Sequence, residues 1–185
     1  MNRPFSPFPI LKTERLLLKQ MTGGDANALF AYQSDAANFP YVDMPVYSEQ
    51  EEASAFIKRI NSGIRESKWI YWGIFKKTGG PMIGTICIWD LDEKKNTAEV
   101  GYGIYPAYRG SGFMCEALRA VASFALQDMA LAVLEAYTNV DNAPSRRVLE
   151  RCGFTCQREH VDTWADGTDT QMAVYAITPK APSHI

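Results

Sequence analysis

The spacing of apolar residues changes period repeatedly along the chain, and each change predicts an element. Arg15 to Gln20 reads as a strand, after which Thr22 and Asp25 stand at capping-box spacing and open a helix carrying Ala28, Leu29 and Tyr32. Ser48-Glu-Gln-Glu51 fits the same S-x-x-E pattern ahead of a second helix, with Ala53, Phe56, Ile57 and Ile60 as its inner face. Strands are predicted for Trp69 to Lys76 and Met82 to Asp90, joined by the turn Thr78-Gly-Gly-Pro81, and then for Thr97 to Ile104. Met114, Ala117, Leu118, Val121, Ala122 and Ala125 recur at helical spacing over 113–128. Val133 to Thr138 returns to strand, and a helix opens at Asn142. Two closing strands, about 154–163 and 170–177, form a hairpin around Ala165-Asp-Gly167. This order predicts an α+β fold, a mixed sheet with helices on both faces. One domain is expected over 12–178, after an extended arm (1–11, with Pro4, Pro7 and Pro9) and before a flexible tail (179–185).

Composition narrows the classes. With 185 residues and 46% hydrophobic content, the chain has enough material for a full core. A net charge of −2 gives no electrostatic reason to expect nucleic-acid binding. No apolar run approaches the ~18 residues of a membrane span, and no signal-peptide pattern opens the chain, so a cytoplasmic location is expected. Cys87, Cys115, Cys152 and Cys156 are scattered, and His160 and His184 are the only histidines. No metal site is expected, and the thiols read as reduced core or helix residues.

Glu99-Val-Gly-Tyr-Gly-Ile-Tyr-Pro-Ala-Tyr-Arg-Gly-Ser-Gly-Phe-Met-Cys-Glu-Ala-Leu118 is the most informative stretch. It runs from strand through a glycine-bearing loop into a helix, which aims backbone N–H groups at one spot where the helix dipole favours an anion. Two familiar phosphate loops are excluded. No lysine follows Gly110 and Gly112 as a P-loop requires, and Cys115 stands where the dinucleotide fingerprint needs its third glycine. A plain strand-to-helix turn would also use these glycines.

A second stretch carries further weight. In Asn139-Val-Asp-Asn-Ala-Pro-Ser-Arg-Arg-Val-Leu-Glu-Arg-Cys-Gly-Phe154, Asn142 suits an N-cap, Pro144 the first turn and Gly153 the left-handed residue after the helix. With Tyr108-Arg-Gly-Ser-Gly-Phe-Met114, the pair resembles the two signatures of the GNAT N-acetyltransferase superfamily, in the order and at the separation that superfamily shows. Thr13-Glu-Arg-Leu-Leu-Leu-Lys19 and Ser145 look most like its ribosomal-protein N-terminal acetyltransferase (RimJ/RimL-like) branch. The resemblance covers about Lys12 to Thr178.

The resemblance implies a largely antiparallel sheet splayed between its fourth and fifth strands, with the pantetheine arm of acetyl-CoA lying in the opening like an added strand. Arg109, Gly110, Ser111, Gly112, Phe113 and Met114 would cradle the pyrophosphate, and Ile104 would offer backbone hydrogen bonds to pantetheine. Asn139 and Asn142 would hold the cofactor arm and Arg146 a nucleotide phosphate; Asn142 is equally explained as a cap, and Arg146 as surface charge. The family pattern opens its loop with Gln or Arg where this chain has Ala107.

Strand parity puts Glu99, Gly101 and Gly103 on one face and Val100, Tyr102 and Ile104 on the other, so a ligand can approach the backbone closely beside a carboxylate. Glu99 is the candidate general base for an incoming ammonium; an exposed strand-start glutamate with no role fits the same position. Backbone N–H groups near Gly103 to Tyr105 are candidates for the oxyanion. Many relatives protonate the departing thiolate with a tyrosine where this chain has Leu149, which leaves Ser145, at the helix N-terminus, as the branch-typical substitute. Asp35 to Tyr47 and Trp164-Ala-Asp166 correspond to the walls of the acceptor groove, whereas Glu49, Glu51 and Glu52 are explained as first-turn helix charges. The activity implied is acetyl transfer from acetyl-CoA to a primary amine, on a protein N-terminus or a small molecule, with a homodimer as the family expectation. A non-catalytic acyl-CoA sensor is the alternative, supported by the absent tyrosine.

Overall fold

The computed structural model describes residues 1–179; most of the expected 179–185 tail lies outside the described residues. Among the described residues, eight strands form one sheet in the order β1-β2-β3-β4-β5-β6-β8-β7. They are β1 (Leu11–Lys12), β2 (Leu16–Lys19), β3 (Ile70–Lys76), β4 (Gly84–Asp92), β5 (Thr97–Ile104), β6 (Val133–Asn139), β7 (Thr155–Thr163) and β8 (Asp169–Ile177). Every neighbouring pair is antiparallel except β5 with β6. The four α-helices among the described residues are α1 (Ala26–Gln33), α2 (Gln50–Arg65), α3 (Phe113–Ser123) and α4 (Ala143–Arg151). This is the expected α+β architecture, and the opening lies between β5 and β6. Because the two-residue β1 pairs ahead of β2, the fourth and fifth strands of the sequence reading become β5 and β6.

Helices cover the two faces with separate apolar layers. Ala26 and Leu29 of α1 and Ala53, Ile57 and Ile60 of α2 pack with Met21, Phe75 and Met82. Met114, Ala117, Leu118, Val121 and Ala122 of α3 and Leu149 of α4 join Trp72, Ile74, Ile86, Val100 and Tyr175 on the other face. Burying side chains of this size is worth about 1.5–3 kcal/mol each. The proline-bearing segment before β1 is anchored too: Phe5 is buried, and the buried Trp72 indole donates to the Pro9 carbonyl at 2.7 Å.

Local rules placed most boundaries. Thr22 N–H donates to Asp25 Oδ2 at 2.7 Å, forming the expected capping box, although the chain first makes a 3₁₀ turn over Gly23–Asp25. The second box sits one residue later than Ser48 and Glu51 suggested. Glu49 is the N-cap, and Glu52 accepts from the N–H groups of Ser48 at 2.7 Å and Glu49 at 2.8 Å. Phe56 is half-buried and meets Tyr71 edge-on instead of entering the core. The helix expected over 113–128 is α-helical only to Ser123 and widens into a π turn over Phe124–Asp128.

Gly84 fixes how closely β4 and β5 approach. A Cβ there would lie 2.4 Å from the Gly103 carbonyl oxygen and 3.2 Å from Ile104 Cα, both backbone atoms that cannot swing away. Gly84→Ala should therefore destabilise the protein by about 3 kcal/mol, lowering Tm by roughly 6–12 °C. Gly23→Ala, whose Cβ would meet nothing within 4 Å, should stay within about 0.5 kcal/mol of the parent in the same thermal melts.

Candidate active site

A cradle forms where β5 runs into α3. After the 3₁₀ turn Pro106–Tyr108, Gly110 and Gly112 take φ values of +75° and +77°, a left-handed conformation that glycine adopts without a Cβ penalty. Among the described residues, the backbone N–H groups of Gly110 through Cys115 donate to no backbone carbonyl. They lie at the positive end of the α3 dipole, so the loop is built to receive an anion. Arg15, from the turn before β2, clasps this loop. Its Nη1 donates to the Ser111 carbonyl at 3.0 Å, its Nε to Glu116 Oε2 at 2.6 Å, and its guanidinium lies over the Phe113 ring. Thr13 Oγ1 and the Arg15 N–H both donate to Glu116 Oε1. Burial works against the Glu116 charge, but these donors outweigh it and hold its carboxyl below the usual range.

The opening begins immediately beside the cradle's strand. Parallel pairing of β5 with β6 has three rungs, Thr97↔Val133, Ala98↔Leu134 and Glu99↔Glu135, and then ends. The Tyr105 N–H points toward β4, donating to the Ile83 carbonyl at 2.9 Å. Strand alternation therefore turns the amide edges of Ile104 and Tyr102 toward the gap. Tyr105 N–H is thus not free for an oxyanion, and of the three residues named for that role only Ile104 faces the opening. Arg109 Nε reaches back to the Ile104 carbonyl at 3.3 Å, tying the loop to the strand end.

On the α1/α2 face, Glu99 stands in a row with its cross-strand neighbours Trp89 and Glu135. The strand keeps its register against β4 from Glu99 to Ile104, and the shift in that pairing lies between Trp89 and Asp92, so the parity reading stands. Burial raises the Glu99 pKa to about 7, with the Asp90 charge adding to it, Trp89 partly offsetting it and the Glu135 charge adding again. Glu135 has a cation of its own, Arg158 Nη1 at 3.9 Å, and accepts from the Tyr137 hydroxyl at 3.2 Å. Trp89 is 46% exposed and leaves an aromatic surface open beside the two carboxylates. Gly103 faces Tyr32, whose hydroxyl would lie 3.1 Å from a Cβ there, and Tyr32 stacks on Tyr105 with centroids 4.5 Å apart. The two expected groove walls touch, since Ala165 N–H donates to Asp43 Oδ2 at 2.9 Å.

Ser145 occupies the opposite face. Its N–H donates to Asn142 Oδ1 at 3.1 Å, making Asn142 the α4 N-cap, and its hydroxyl lies 2.9 Å from that of Tyr102. Leu149 is fully buried and offers no proton. Two expected ligand residues are engaged within the fold instead. Asn139 Oδ1 accepts from Asp141 N–H at 2.8 Å while its Nδ2 donates to Thr170 Oγ1 at 2.7 Å. Arg146 is turned inward, with Nε on the Tyr175 hydroxyl and Nη1 on the Val140 carbonyl, both at 3.0 Å. Beside the cradle, an open cleft of about 750 Å³ is lined by Arg15, Arg119 and Arg151 together with Glu14 and Glu116. Glu116 is ion-paired to Arg15, so Arg119 and Arg151 are the cleft's arginines outside that pair. Thr13, Arg15, Trp89, Tyr102 and Glu135 are the site residues that local pattern did not single out. Only Thr13 and Arg15 lay in a stretch already marked by resemblance.

Residues 15–155 match the acetyltransferase (GNAT) domain family. The chain is 34% identical over 173 residues to the uncharacterized N-acetyltransferase YoaA of Bacillus subtilis, covering 92% of this chain and 97% of that protein. In fold it is similar to RimL, a ribosomal L7/L12 alpha-N-protein acetyltransferase solved with coenzyme A (TM-score 0.83, 20% identity, 92% of this chain and 98% of that one). It is also similar to Mycobacterium smegmatis RimJ solved with CoA-disulfide (TM-score 0.81, 19% identity, 92% and 86%).

The raised Glu99 pKa has a signed consequence for stability. Below the unfolded value of 4.5 the carboxyl is protonated in both states, and as pH rises through about 7 the folded state alone resists ionisation. Stability is therefore lost across that window. Glu99→Gln should melt at the same temperature as the parent near pH 4 and higher than the parent at pH 8. Equal melting temperatures at both pH values would show that Glu99 is not held in a charge-averse setting.

Proposed function

The chain belongs to the GNAT family of acetyltransferases, and on that premise we propose that it moves the acetyl group of acetyl-CoA to a primary amine by direct attack. One observation carries this reading. The unengaged N–H groups from Gly110 to Cys115 lie next to a strand whose backbone edge from Gly101 to Ile104 is unpaired on the β6 side. The first feature suits a pyrophosphate, and the second suits an extended amide chain that adds as a strand. Pantetheine joined to pyrophosphate has both parts in that order. The Arg15, Arg119 and Arg151 cleft then takes the nucleotide end.

The acceptor arrives on the Glu99 face, where two carboxylates and the Trp89 indole favour an ammonium. Glu99 accepts its proton, directly or through a water, and the neutral nitrogen attacks the thioester carbon. The C–S bond breaks with its electron pair on sulfur, and Ser145 hydrogen-bonds the departing thiolate from the opposite face. The nitrogen, cationic after its attack, gives its surplus proton to water, and water protonates the thiolate as product leaves. The likeness in fold to RimL brings a protein N-terminus forward as the first acceptor to test, ahead of small amines. Leu149 favours one rival, a sensor that holds acetyl-CoA without turning it over.

CoA thiol release measured with a panel of N-terminal peptides and small amines separates these readings. Release above the hydrolysis background with an acceptor is expected; tight acetyl-CoA binding with no release from any amine supports the sensor. Gly112→Glu should abolish acetyl-CoA binding in a folded protein, because it sets a carboxylate and a strained φ into the cradle. In the wild type, kcat/KM should rise with pH through about 7 as Glu99 ionises. Glu99→Gln should lose that limb and about 100-fold in kcat, with acetyl-CoA affinity unchanged.

A further inference from the structure

We propose that Tyr102 is the positioning residue of the leaving-group side, its hydroxyl donating to Ser145 Oγ so that the single Ser145 hydrogen is left for the sulfur. This rests on the reading that Ser145 hydrogen-bonds the CoA thiolate. The two hydroxyls are 2.9 Å apart, and Tyr102 Oη makes no other hydrogen bond among the described residues.

The direction of that bond follows from counting hydrogens. Each hydroxyl has one hydrogen to give and can accept from others. Were Ser145 the donor, the Tyr102 hydrogen would be left without a partner, and Ser145 would have nothing to offer the sulfur. Among the described residues Ser145 is the one group the Tyr102 hydroxyl bonds, and the nearby thiols of Cys115 and Cys152 are weak acceptors. With Tyr102 as donor, both hydroxyls are satisfied once a thiolate arrives, and each bond polarises the next. The surroundings keep this arrangement in place. Asn142 fixes the Ser145 backbone through its N–H, and Tyr102 belongs to a β5 backbone paired with β4. One turn further along α4, the buried Leu149 provides no competing hydroxyl. Burial pushes the Tyr102 phenol well above its ordinary pKa. It is therefore a poor proton source for a thiolate but a dependable neutral donor to Ser145 at every working pH. Tyr102 acts through Ser145 and does not itself touch the sulfur.

The test compares wild type, Tyr102→Phe, Ser145→Ala and the double variant in two measurements. The first is the titration of the CoA thiol on the protein, followed by the ultraviolet absorbance of the thiolate, which requires no turnover. The bound thiol should titrate about one pH unit lower on wild type than on Ser145→Ala or the double variant, with Tyr102→Phe falling between them. The second is steady-state transfer to an active amine. Ser145→Ala should lose about 10-fold in kcat, Tyr102→Phe somewhat less, and the double variant no more than Ser145→Ala, with KM for acetyl-CoA within about twofold throughout. Losses that multiply in the double variant would overturn the proposal. So would a Tyr102→Phe protein whose bound thiol titrates as in wild type. A wild-type thiol that titrates as in free CoA would remove Ser145 from the leaving-group side and the proposal with it. A depressed thiol on a wild type that transfers to no amine would instead refute the transferase reading while leaving the Tyr102 role standing.

Discussion

Three rungs of parallel pairing join β5 to β6, and the absence of a fourth decides the rest of the site. Neither strand is free to close the gap, because β5 is held to β4 as far as Ile104 and β6 to β8 as far as Asn139. Backbone amides left in such a slot need partners. The slot also separates two chemistries. Glu99 sits on the last rung and faces α1 and α2, while Tyr102, three residues on, faces α3 and α4. Proton removal from an acceptor and stabilisation of a leaving sulfur can then proceed from opposite faces of one sheet, meeting only through the opening.

The anion cradle depends on contacts that lie far apart in sequence. Thr13 and Arg15 reach across roughly a hundred residues to Glu116, and Arg15 also holds the Ser111 carbonyl. A partly exposed ion pair adds little to stability. Its effect is geometric: the first turn of α3 and the loop before it are fixed against the sheet, with their N–H groups still free. A cradle held this way does not have to be ordered by its ligand.

What was legible in the sequence was local. Gly110, Gly112, Asn142, Pro144 and Gly153 could be placed because turns and caps demand particular residues at particular offsets. The buried stripe of α3 followed from its period. The second capping box slipped by one residue because Ser48 and Glu49 both precede a run of three acidic or amide side chains, and only the fold shows that Glu52 reaches back. Arg146 and Asn139 read as ligand residues because the motif ends there. In the structure they bind Tyr175 and Thr170, partners on a strand some thirty residues away. The Tyr102–Ser145 contact was hidden for the same reason, since no periodicity links position 102 to position 145.

Counting the gap, this sheet has free edges at three places: β1, β7 and the interior slot. The outer two carry the usual guards. β1 is only two residues long, and β7 bears Arg158, Glu159 and Asp162. The interior edge has no charged guard of this kind along Gly101-Tyr-Gly-Ile104, where a lysine or proline would interfere with a ligand. Its protection is enclosure by the two halves of the sheet. An aggregating strand needs a long, accessible rail on which to lie, whereas this one is short and walled on both sides. Unsatisfied backbone can thus persist at the centre of the molecule without making the molecule sticky.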